Sequence, residues 1–180
     1  MISAALPSAE AATLLPPSDA DLLAASQRLG QVLAQRGWQL AVAESCTGGL
    51  LGHVITQVPR ASDHFLGGIV CYSNAVKEQL LGVPGSLLDE HGAVSKEVAR
   101  AMVRGALAAF EPAHLALAVT GIAGPDGGSA EKPVGLTYLA AGRRGEEPVL
   151  RELRSGFDRD GNKRAAALAA LELAASIVAG

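Results

Sequence analysis

Short apolar runs alternate with segments of helical period along most of this chain, and that alternation limits its fold more than any other feature. Gln39–Ser45 (QLAVAES), Phe65–Ser73 (FLGGIVCYS), His114–Thr120 (HLALAVT) and Val134–Ala141 (VGLTYLAA) are short, apolar and partly β-branched, so each reads as a strand. Before the first run, Leu22, Leu29 and Leu33, with Ser26 on the same face, make an amphipathic helix. It opens on a capping box of Ser18 and Asp21 and stops at Gly37. CTGGLLGHVITQVP is a turn into a short helix that ends near Pro59. Asn74 caps a helix through Leu81, Gly82–Gly92 is loop and turn, and Ser95 caps a helix in which Val98, Met102, Ala106 and Phe110 recur. Gly142 to Gly145 form a hairpin turn into Pro148–Leu153, and Lys163–Val178 is an Ala/Leu-rich final helix.

Helices between strands imply crossovers and parallel pairing, and the hairpin adds an antiparallel part. The expected fold is therefore α/β, a three-layer α/β/α sandwich with a mixed β-sheet. Residues 1–17 are expected to be a loosely ordered lead, and 18–180 a single domain. With 49% hydrophobic residues the chain can fill a core of that size.

Charge and composition exclude several functions. Lys plus Arg is 15 against 18 for Asp plus Glu, a net −3, which does not suit a nucleic-acid surface; aromatics at 3% do not supply stacking platforms for bases. Two cysteines, Cys46 and Cys71, make neither a disulfide framework nor a zinc site and read as free thiols in a reducing compartment. His53, His64, His91 and His114 lack metal-ligand spacing, so no metal and no cofactor is expected. The N-terminus has no basic region and is broken by prolines, and no run reaches the roughly 18 apolar residues of a membrane span. A cytoplasmic protein without a membrane partner is the reading.

Three loops follow strands and carry the candidate chemistry. Ser45 ends the first strand, and Cys46, Thr47, Gly48 and Gly49 lead into a helix whose free N–H groups would face the same place. They would suit a phosphate or a developing oxyanion, with Ser45 as nucleophile; alternatively Ser45 only caps the helix. The turn is neither a Gly-x-Ser-x-Gly elbow nor a P-loop. Tyr72 ends the second strand, and Lys77 lies near N3 of the next helix if Asn74 is the cap. The helix dipole and burial would both disfavour its charge and fit it to act as a base, with Tyr72 relaying a proton or orienting the pair. The alternative is a solvated helix lysine. The glycine-rich loop from Thr120 through Gly121, Gly124 and Asp126 exposes backbone donors; Asp126 suits a ribose contact or a turn, and Lys132 a phosphate. Among Arg151, Arg154 and Arg159, pattern does not select an anion contact. Parallel strands would bring Ser45 and Lys77 to one sheet edge.

AESCTGG at 43–49, GGIVCYSNAVKEQLLGV at 67–83, HGAVS at 91–95, AVTGIAGPDGG at 118–128 and KPVG at 132–135 resemble the C-terminal domain of the competence/damage-inducible CinA family, in the same order and over roughly Leu22 to the final helix. Standalone members are nicotinamide-nucleotide amidases. The resemblance implies metal-free hydrolysis of nicotinamide mononucleotide to nicotinate mononucleotide and ammonia, in pyridine-nucleotide recycling. It implies Ser45 as nucleophile, Tyr72 and Lys77 as its catalytic partners, and Thr120 as the threonine after the third strand. It places Gly68 beside the substrate, with Thr47 and Gly48 at the oxyanion and Gly121, Gly124 and Asp126 along ribose and phosphate. The larger relatives carry a molybdopterin-binding-like domain before this one, and its absence here favours a standalone amidase; a homodimer is expected because family members associate. One departure stands out: the family's arginine pair at the start of the last helix is replaced by Phe157-Asp-Arg-Asp-Gly-Asn-Lys163-Arg164, so Lys163 or Arg164 is expected to take over the phosphate contact. The competing expectation is a non-catalytic nucleotide-binding or regulatory domain.

Overall fold

The computed structural model describes residues 15–180. Most of the expected lead, residues 1–14, lies outside the described residues; Leu15 to Ser18 run without regular structure into the first helix. The elements are α1 (Asp19–Arg36), β1 (Leu40–Glu44), α2 (Leu50–Thr56), a 3-10 turn (Ala61–Asp63), β2 (Phe65–Val70), α3 (Asn74–Leu81), α4 (Gly85–His91), α5 (Lys96–Ala109), β3 (Leu115–Gly121), β4 (Leu136–Arg143), β5 (Val149–Arg154) and α6 (Arg159–Ala179).

The strands form one 5-stranded sheet in the order β2-β1-β3-β4-β5. β1 pairs in parallel with β2 and β3, whereas β4 and β5 are antiparallel additions. The mixed sheet and the three layers are as expected. β1 and β3 sort their residues by size rather than polarity. Leu40, Val42, Leu115, Leu117 and Val119 face the layer of α1, α2 and α6, while Ala41, Ala43, Ala116 and Ala118 face α3, α4 and α5. A central strand covered on both sides has no polar face to show, so size alternation replaces polar alternation. The alanine face lets α5 lie close to the sheet through Val98, Met102 and Val103.

Three helix boundaries differ from the sequence reading. Ser73, not Asn74, caps α3: its side chain accepts from Val76 N at 3.3 Å, which makes Lys77 the fourth helical residue. The expected loop Gly82–Gly92 contains α4, preceded by Pro84 and anchored by buried Leu88. α6 begins at Arg159, because Asp158 Oδ1 accepts from Gly161 N at 2.8 Å. Gly161 reads as a breaker in sequence, yet a Cβ there would stand 2.5 Å from Phe157 Cβ, so close packing of the cap requires it.

The C-terminal ends of β1, β2 and β3, the start of β4 and the start of α6 all lie at one end of the sheet. The hairpin turn between β4 and β5 lies at the other end, because Arg143 pairs with Leu115 at the start of β3.

Candidate active site

Ser45 follows β1 directly and prolongs its parallel pairing, its N–H donating to Val119 O at 2.9 Å. Lys77 reaches it from the first turns of α3. Lys77 Nζ lies 3.2 Å from Ser45 Oγ and donates to Cys71 O at 2.8 Å and Tyr72 O at 3.4 Å. The lysine is 0% exposed and the serine 8%. Neither Lys77 nor the neighbouring Glu44 makes an ion pair among the described residues. An ammonium buried without a counter-ion is poorly solvated, and burial holds the Lys77 amine below its ordinary range. In its neutral form, its N–H groups serve the two carbonyls and its lone pair faces the serine hydroxyl. Burial also pushes the Cys46 thiol up to about 12, so that sulfur is inert as a nucleophile at neutral pH.

The amino end of α2 does not face an incoming anion, contrary to the sequence reading. The Glu44 carboxylate already fills it, accepting from Gly49 N at 3.0 Å, Leu51 N at 3.1 Å and Gly52 N at 2.9 Å. Gly48 N donates back to Ser45 O at 3.1 Å. The turn amides left without a partner among the described residues belong to Cys46 and Thr47. Thr47 is 0% exposed and its Oγ1 has no hydrogen-bond partner among the described residues. Gly48 has φ 63° and open space where a side chain would stand.

Other expected site residues lie elsewhere. The Tyr72 side chain is 60% exposed and its hydroxyl accepts from Arg159 Nη2 at 3.1 Å; it does not stand between Ser45 and Lys77, which meet directly. Thr120 is buried beside the Ser45 strand end, but its Oγ1 donates to Ala93 O at 2.7 Å and so ties down the turn before α5. Gly68 is a packing residue inside β2: a Cβ there would stand 2.4 Å from Val42 Cγ2. Gly121 is likewise closed in by Thr137, at 2.5 Å from a Cβ. Gly124, at φ 86°, presents its carbonyl to Arg159 Nη1, and Asp126 is exposed on the loop beyond it. Lys132 Nζ is taken by His91 O at 2.6 Å.

A cavity of about 700 Å³ opens beside these loops, with Arg159, Lys163, Asp158 and Asp160 on its lining and Phe157 and Pro125 among its walls. Neither Ser45 nor Lys77 lines it; Arg159 joins the two regions through Tyr72. Arg164 points away, paired with Asp19 and Asp160, and is not free for a phosphate. Among the described residues there is no cluster of His, Cys, Asp and Glu able to hold a metal ion, and no helix long and apolar enough to cross a membrane.

Sequence reasoning did not select Arg159, Glu44 or Asn162. Asn162 is 2% exposed; its amide donates to Ala123 O and Phe157 O while its oxygen accepts from Ser155 Oγ and Phe157 N, locking the two loops around the cavity together. A signal for Glu44 was present: an acid in an otherwise apolar strand, just ahead of a helix start.

The family model of the CinA C-terminal domain matches residues 23–178. The chain belongs to the CinA C-terminal domain family. A competence-damage inducible protein of Moorella thermoacetica is 55% identical over 127 residues, covering 71% of this chain and 30% of that protein. One from Symbiobacterium thermophilum is 50% identical over 155 residues, covering 82% and 36%. The chain thus spans about a third of the length of these curated relatives. The crystal structure of the competence/damage inducible protein CihA from Agrobacterium tumefaciens superposes with a TM-score of 0.81 at 40% identity, over 89% of this chain and 96% of that one. The competence damage-inducible protein A from Klebsiella pneumoniae gives 0.84 at 30% identity, over 88% and 97%. The CinA fold of those structures is the fold described above.

Proposed function

We propose that this CinA-family chain is an amidase that hydrolyses the carboxamide of nicotinamide mononucleotide, with Ser45 as nucleophile and Lys77 as general base and acid. The observation that carries the reading is the buried amine, without a counter-ion among the described residues, 3.2 Å from a serine hydroxyl at the end of a parallel strand. A structural lysine would reach solvent or pair with an acid; among the described residues this one does neither.

Neutral Lys77 takes the Ser45 Oγ proton as Oγ adds to the carboxamide carbon. The Cys46 and Thr47 amides are the donors nearest in sequence for the oxyanion that forms. The Lys77 ammonium then protonates the amide nitrogen, the C–N bond breaks and ammonia leaves. Water adds to the acyl-serine as Lys77 again takes a proton, and collapse returns that proton to Ser45 Oγ and releases the acid. The chemistry uses no metal or cofactor. Arg159 and Lys163, on the cavity lining, are the cations assigned to the phosphate in this reading, and the Gly121–Asp126 loop is assigned to the ribose.

Purified protein incubated with nicotinamide mononucleotide should release ammonia and nicotinate mononucleotide in equal amounts. Ser45→Ala should keep the fold and lose turnover; wild-type rates in that variant would reject the nucleophile. One observation favours a second reading, a nucleotide-binding regulatory domain: the cavity lined by Arg159 and Lys163 does not include the Ser45–Lys77 pair. Saturable binding without product would support it.

A further inference from the structure

Glu44 closes a strand whose other residues, Leu40, Ala41, Val42 and Ala43, are all apolar, and it is itself 2% exposed. An ionised carboxylate in such a place is costly unless its lone pairs are filled. Here backbone fills them. Two α2 amides, Gly49 N and Leu51 N, donate to Oε2, and Gly52 N donates to Oε1. Between the carboxylate and those amides in sequence lies the turn that begins at Ser45. The main chain of Glu44 serves the other half of the pair. Its carbonyl accepts from Cys71 N at 2.8 Å, and Cys71 O in turn accepts from Lys77 Nζ. One residue is therefore bonded to the serine's turn through its side chain and to the lysine's anchor through its backbone.

We infer that Glu44 is a positioning residue for the nucleophile: its carboxylate clamps the Ser45–Gly49 turn onto the amino end of α2 and so keeps Ser45 Oγ within reach of Lys77 Nζ. The inference rests on Ser45 being the nucleophile. It also explains why a substrate phosphate has no place at α2: the protein supplies that helix with its own anion. The three amides set the chemistry of the clamp. Glutamine would turn an NH2 toward at least one N–H, donor against donor. Aspartate keeps the charge on a stem one methylene shorter.

The test compares wild type, Glu44→Gln and Glu44→Asp, with folding checked by circular dichroism. It reads kcat and KM for nicotinamide mononucleotide and the rate at which a fluorophosphonate labels Ser45. In Glu44→Gln, kcat should fall by about ten- to a hundredfold, as expected for a displaced reacting group, while KM stays within about twofold. Serine labelling should slow in parallel, and Glu44→Asp should recover part of both rates. A folded Glu44→Gln protein with wild-type kcat and labelling overturns the inference. If Glu44→Gln does not fold, Glu44→Asp decides: slower labelling at unchanged KM supports the clamp, and wild-type rates overturn it. If the wild type itself does not hydrolyse the nucleotide, the amidase reading fails separately, and the labelling rates alone still decide the role of Glu44.

Discussion

Replacing Lys77 by Met separates what the amine does from what it costs. The side chain is 0% exposed, so a methionine of similar length fills the same space. The carbonyls of Cys71 and Tyr72 lose a donor, at about 1–3 kcal/mol if either is left unpaired. Against this stands the burial of the amine. In the unfolded chain it is protonated up to its ordinary pKa of 10.5, whereas burial makes the folded protein release that proton earlier. Between those two values the unfolded state binds more protons, so wild-type stability rises with pH by as much as about 1.4 kcal/mol per unit. Below the folded value the contribution is lost and the curve is flat. Lys77→Met has no such slope. Cys46 and Cys71, whose folded pKa values burial raises above 9.0, weaken both proteins above that pH and feel the Lys77 charge, so the difference is read below pH 9.0, where both thiols keep their protons. Urea unfolding of both proteins across a pH series, followed by circular dichroism, should give a wild-type minus variant difference that is flat in acid and climbs toward alkali. Wild-type kcat should rise with pH on the acid side to a plateau set by the same group, and the variant should lose about a thousandfold in kcat. Parallel stability curves would falsify the claim that folding displaces the lysine proton, and with it the case for Lys77 as the base.

Gly68→Ala places a Cβ 2.4 Å from Val42 Cγ2 and should destabilise by about 1–3 kcal/mol in urea unfolding, with partial recovery on adding Val42→Ala. Arg159→Ala should raise KM for nicotinamide mononucleotide about tenfold, while Arg164→Ala leaves it within about twofold; equal effects would mean that the cavity cation has been misassigned. Asn162→Ala should cost about 1–3 kcal/mol of stability and raise KM as well, because the same side chain holds Ala123 and Phe157 beside the cavity.

The strands were legible in the sequence because they are short, apolar and bounded by turn residues. The pairing of Ser45 with Lys77 was legible from the family resemblance and, physically, through topology: the residues are 32 apart in sequence, and parallel neighbouring strands bring their ends together. The family motifs nominated Ser45 and Lys77 as partners, but not the direct contact between them. Tyr72 stands next to the pair in the motif, yet its side chain turns outward to Arg159. Gly68 stands among motif glycines, yet its reason is Val42 on the adjacent strand, which no local pattern contains. The choice among cations depended on where α6 begins. Once Arg159 is helical, Lys163 lies about 40° from it around the axis and Arg164 about 140°, so the first two share the cavity and the third meets α1. Glu44 was hidden because its partners are backbone amides, which carry no residue identity.

The β4–β5 turn is set apart from all of this. Residues 144–147 are exposed, and the length of β3 puts them about 20 Å from the reactive end. Gly145 sits at φ 85°, which favours glycine, so an attachment point belongs on an exposed neighbour and not on Gly145 itself. A dye, affinity handle or solid support attached there would leave the Ser45–Lys77 end of the sheet facing outward, so an immobilised preparation should show the same rate of Ser45 labelling by a fluorophosphonate as the free protein.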